Sequence, residues 1–117
     1  MEKIKKASKD KIDRHREALE NLSRRIHSNP EIGYEEEKAS SWLGEYLDQV
    51  GFEVESGICD LPTAFRATKG SGPLHIIVCA EYDALPGLGH ACGHNVIAAT
   101  AVGAGIGAAA VADDAGL

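Results

Sequence analysis

Positive charge is in short supply in this chain: 12 Lys and Arg stand against 18 Asp and Glu, a formal net charge of -6. Phosphate binding relies on clustered cations and the counterions they release, so a nucleic-acid partner is not expected. The basic residues that do gather, in "KIKK" and "RHR", alternate with acids as on a solvated helix face. Cysteine is scarce too. Cys59, Cys79 and Cys92 cannot all pair within one chain, and their wide spacing matches no secreted disulfide scaffold. The opening "MEKIKKASKD" lacks the apolar core of a signal peptide. These two features point to a reducing, cytoplasmic compartment. Aromatics are few, and neither an internal repeat nor a low-complexity linker is present. The 117 residues, 44% hydrophobic and 26% charged, suit one soluble globular domain with a core and are too few for two.

What is present is strongly patterned. Ile12, Leu19, Leu22 and Ile26 recur at helical spacing and predict an amphipathic helix over residues 8–27, ended by Pro30 and Gly33. A second helix should begin near Glu35, where three successive glutamates suit the positive end of the helix dipole. Its stripe is Ala39, Trp42, Leu43, Tyr46, Leu47 and Val50, with Gly51 placed as a left-handed cap. "FEVES" and "TAFRAT" alternate as half-buried strands do, and "KGSGP" is a turn. The apolar run from Leu74 to Ala80 reads as a central strand covered on both faces. From Val96 to Ala112 there is no charge, and Gly103, Gly105 and Gly107 punctuate an Ala-rich segment. Few large apolar residues and a bare spanning length set this against a membrane span, so we expect a helix packed closely on a sheet. The fold class implied is α/β.

Between that strand and that helix lies "LGHACGHN", where ligands of an open α/β layer collect. Nucleotide binding fails on spacing, because Gly87 and Gly89 need a third glycine where Cys92 stands, and no Gly-Lys-Ser/Thr triplet follows. Metal binding does better. Cys92 and His94 offer a thiolate and an imidazole two residues apart, with Gly93 between them to let the backbone fold tightly. Two ligands do not complete a site, and the reserves within the chain are His90, Asp83 and Glu81. In an extended segment His90, Cys92 and His94 would face one way, but the glycines oppose that geometry, so His90 is read as a lining residue. Asp83 can hold a ligand imidazole by its far nitrogen or touch the metal itself. Glu81 is equally well an exposed residue at a strand end. Cys59 and Cys79 are read as buried or turn thiols without a role, as are the imidazoles of His15, His27 and His75, with His27 before "SNPE" the least settled.

"EYDALPGLGHACGHN", with "RRIHSNPEIGYEE" and "GFEVESG" upstream, resembles the N-terminal part of the aminoacylase and glutamate-carboxypeptidase type of metallopeptidases. The likeness is greatest to the amidohydrolase branch, with its hippurate, indoleacetyl-amino-acid and aminobenzoyl-glutamate hydrolases and its β-alanyl-lysine-type dipeptidases. It implies a three-layer α/β/α catalytic domain with a mixed sheet, of which residues 1–117 are the N-terminal portion; a lid domain that makes a homodimer, and the rest of the catalytic domain, lie outside. It implies Cys92 and His94 as metal ligands and Asp83 as the catalytic aspartate beside a ligand. Two positions depart from many branch members: Asn95 and Glu81 each stand where Asp is usual. Both departures point to the dipeptidase and aminobenzoyl-glutamate-like group.

The implied enzyme holds two divalent ions, zinc or manganese, roughly 3.5–4 Å apart, which polarise an amide carbonyl and lower the pKa of a bridging water towards ~7. A glutamate beyond Leu117 takes the proton and passes it to the leaving amine. The substrate is a small N-acyl amino acid or dipeptide. Residues 1–117 by themselves should bind metal weakly and hydrolyse nothing. The contrasting expectation is a non-enzymatic zinc-binding or interaction module.

Overall fold

The first apolar stripe is laid down as two helices, α1 (Glu2–Arg14) and α2 (Arg16–Ser28), in the computed structural model, which describes all of residues 1–117. The single helix expected over 8–27 is interrupted at His15, whose φ of -97° and ψ of 2° leave the helical range. There the His15 amide bonds to the Ile12 carbonyl, and its imidazole meets the Tyr46 hydroxyl on the third helix. Only the second half of the stripe is fully covered: α1 buries no residue, and α2 buries Leu22 and Ile26.

α3 (Glu37–Gln49) starts two residues later than the glutamate run suggests. The first amides of a helix lack partners within it. Here the Glu31 carboxylate takes the Lys38 and Ala39 amides at 3.0 and 2.9 Å, so the cap comes from upstream and not from the run itself. Gly51, at φ +90°, follows the helix end as expected. The chain then forms an antiparallel hairpin of β1 (Glu53–Ser56) and β2 (Phe65–Thr68), with Glu53 opposite Thr68 and Ser56 opposite Phe65. A 3-10 turn at Ile58–Asp60 joins the two strands. Last come α4 (His94–Ala109) and the short α5 (Ala112–Ala115).

The core joins Leu22 and Ile26 of α2, Ala39, Leu43 and Leu47 of α3, and Ala98, Val102 and Ile106 of α4. Phe52, Val54, Phe65 and Ala67 bring the hairpin against it, with Trp42, Tyr46 and Tyr82 at the fringe. Ile26 and Leu43 are wholly buried, each stabilising the fold by about 1.5–3 kcal/mol relative to exposure. The glycines of α4 set how near its neighbours come. A Cβ at Gly107 would lie 2.7 Å from Ile12 Cδ1, and one at Gly103 would lie 3.2 Å from Leu19 Cδ1. α4 thus packs on α1 and α2, a correction to the expected helix on a sheet. No helix is long and apolar enough to cross a membrane.

Helices and a two-stranded sheet are compatible with an α/β protein, but the run from Leu74 to Ala80 forms no strand. All seven residues are exposed, Ile77 to 84%. The Gly72 and Leu74 amides reach the carbonyls of Leu117 and Gly116, and beyond them the backbone makes no further amide hydrogen bond until Ala84. The reason is the absence of a neighbour: β2 pairs only with β1, and a central strand needs ladder partners and covering layers on both faces. Cys79, read as a small buried thiol, is exposed for the same reason, while Cys59 sits in the 3-10 turn.

Candidate active site

Asp83 is held by fastenings on either side. The Tyr82 hydroxyl donates to the Thr63 carbonyl, and Thr63 Oγ1 donates to the Glu36 carboxylate at 2.7 Å. On the other side the Ala84 amide donates to the Glu31 carbonyl at 2.7 Å, and Ala84 pairs in parallel with Ile32. The segment Pro30–Gly33 therefore forms a wall beside Asp83, close enough that a Cβ on Gly33 would lie 3.9 Å from Asp83 Oδ2.

After Asp83 the loop is a series of tight turns. Leu85 and Gly89 exchange both backbone hydrogen bonds, at 2.9 and 3.1 Å, around Pro86, Gly87 and Leu88. Gly87, Gly89 and Gly93 have φ of +72°, +70° and +75°, which a side chain would disfavour. The segment is accordingly not extended. Gly93 precedes α4 directly and delivers His94 as the first residue of the helix.

His94 turns back onto Asp83. Its Nδ1 lies 2.8 Å from Asp83 Oδ1 and 3.0 Å from the Asp83 carbonyl, so one N–H is shared between a carboxylate and a main-chain oxygen. With the proton on Nδ1, the lone pair of Nε2 is free for a Lewis acid, the arrangement by which carboxylates orient metal-binding imidazoles. Cys92 is exposed with its thiol free. No three side chains among His, Cys, Asp and Glu converge into a group that could hold an ion. A thiol and an imidazole are donor types that suit zinc, but two donors alone do not make a site.

His90 lies inside the loop with both ring nitrogens shut off from solvent and without a hydrogen-bond partner. Its ring stacks on His27 of α2, with centroids 6.3 Å apart and planes at 30°. Burial pushes the His90 pKa down, and the neighbouring His27 and His94 push it further. The Ile26 backbone and the Asp83 carboxylate pull the other way without closing a hydrogen bond to the ring. Glu81 is exposed and takes part in no hydrogen bond or ion pair. Sequence reasoning missed Glu31 and the wall it belongs to. The "SNPE" beside His27 and the family likeness of "RRIHSNPEIGYEE" marked that stretch without assigning it a role.

No family model matches the chain. It is 41% identical to the Xaa-Arg dipeptidase of Mus musculus, over 92% of this chain and 27% of that protein. The Xaa-Arg dipeptidase of Homo sapiens is 40% identical, over 92% of this chain and 28% of its own length. A p-aminobenzoyl-glutamate hydrolase chain of Escherichia coli (strain K12) is 31% identical, over 91% and 26%. All are hydrolases. The chain spans about a quarter of the length of these curated relatives, within their N-terminal part.

Proposed function

Since this chain is a homologue of the N-terminal part of these dipeptidases and amidohydrolases, we propose that it is the opening portion of a metal-dependent hydrolase that cleaves the amide bond of an N-acyl amino acid or dipeptide. The observation that carries this reading is the 2.8 Å contact between His94 Nδ1 and Asp83 Oδ1, which orients the imidazole of the Cys-x-His pair. In the whole enzyme Cys92 and His94 would hold a divalent ion, zinc or manganese, with the remaining ligands and the proton-accepting glutamate supplied from outside residues 1–117. The chemistry such an ion would supply, when held there, is polarisation of the amide carbonyl and acidification of a water. Asp83 keeps His94 in the Nδ1–H tautomer and fixes its ring plane. The left-handed glycines hold the loop close around the site.

The same reading makes the surrounding domain a three-layer α/β/α sandwich in which Leu74–Ala80 finds its strand partners, the full-length protein a homodimer, and residues 1–117 inactive by themselves. Free cysteines at 59, 79 and 92 fit a cytoplasmic setting. The test is metal analysis of the full-length protein with a panel of dipeptides and N-acyl amino acids. Cys92→Ala is expected to lower metal content and amide hydrolysis together; if neither changes, Cys92 is no ligand.

A further inference from the structure

We propose that Asn95 is a positioning residue for His94, acting as a latch that ties the first turn of α4 to the middle of α2 through Ser23. What His94 does rests on the hydrolase reading, while the latch rests on geometry alone. Asn95 follows His94 directly and is 7% exposed. Its Nδ2 donates to Ser23 Oγ at 3.0 Å and to the Ser23 carbonyl at 3.4 Å. Ser23 follows the buried Leu22 and lies one helical turn before the wholly buried Ile26, so the anchor is firm.

The chemistry at this position favours the amide. An Asn offers two N–H donors to two oxygens, whereas an ionised Asp offers none. With Asp, the Ser23 hydroxyl could turn to donate, but the carbonyl would face a carboxylate in a buried place, an arrangement that is costly without a compensating donor.

The need for a latch follows from how α4 packs. Its buried face beyond Asn95 is Ala98, Ala99, Val102, Gly103, Ile106 and Gly107, which lies close against α1 and α2. Those contacts begin at Ala98, one turn beyond His94, while His94 at the first position of the helix must hold a rotation that keeps Nδ1 within reach of Asp83. A polar tie one residue along fixes that rotation at the point where it matters.

The experiment reads the His94 imidazole by long-range proton–nitrogen correlation spectroscopy of the 117-residue chain, beside thermal melts. We expect one Nδ1–H tautomer in the parent chain and a tautomer mixture in Asn95→Ala and Asn95→Asp. Ser23→Ala, which removes only the hydroxyl acceptor, should fall between them. A pure Nδ1–H tautomer in both alanine variants would overturn the latch, whatever happens to the melting temperature, and so would a mixture in the parent chain. If Asn95→Ala does not fold, Ser23→Ala decides alone. Because the spectrum reports on the pair in the absence of metal and substrate, inactivity of the full-length protein would count against the hydrolase reading and leave the latch standing.

Discussion

Two apolar stretches of this chain meet opposite fates. The stripe running through Leu22, Ile26, Leu43 and Leu47 is buried between helices, while the more continuous run Leu74–Ala80 is exposed along its whole length. The run is if anything the more hydrophobic of the two. What separates them is whether the partners of the backbone hydrogen bonds are local. A helix satisfies its own backbone and needs only a side-chain neighbour, and α2, α3 and α4 provide that for one another. A strand needs hydrogen-bonding neighbours as well, and here none is within reach.

The contrast is broken most sharply at its buried end. Ile26→Ala should cost about 2–5 kcal/mol in denaturant unfolding, through lost burial and the cavity left behind. A loss under ~1 kcal/mol would mean that the helical core is loose. Overpacking tests the same core from the other side. Gly107→Val places atoms where Ile12 already lies, and a destabilisation of about 1–3 kcal/mol is expected, partly relieved if α1 moves away.

Acid should act next, and in one direction. Burial depresses His15, with Lys11 and Arg14 adding to the effect, and His90 is depressed as well. A folded-state pKa below the ordinary value of 6.5 means that the unfolded chain binds more protons as pH falls below that value. Stability should therefore decline on acidification below ~6.5 and level off only once the folded chain is protonated too. Thermal melts across that range check it, and His15→Gln should shallow the slope. The smallest effect on stability is expected at the exposed run. Ile77→Lys should change unfolding free energy by no more than about 0.5 kcal/mol while reducing binding of a hydrophobic dye and self-association. A loss of several kcal/mol would show that the run is covered after all.

How much of this was legible beforehand follows the same division. The helix stripes, the Gly51 stop and the two short strands are local patterns, and each appears close to its expected place. The break at His15 was not legible, because it depends on Tyr46, 31 residues away. The glutamate run marks the start of α3 to within two residues, but not the cap, which comes from Glu31. At the site, the residues that meet were named from the strand–loop–helix order and the family likeness. Asp83 and His94 do meet, whereas Cys92 is exposed and joins no cluster. The wall from Pro30 to Gly33 lies in a stretch that carries the family likeness, but only the folded chain brings it beside Asp83.

Glu31 serves two masters: its side chain seats the start of α3, and its main-chain oxygen anchors the residue after Asp83. Damage at the opening of α3 would accordingly be transmitted to the carboxylate that steers His94, although more than forty positions of sequence intervene. Tolerance to substitution in this protein should map onto that junction as much as onto the histidine-rich motif.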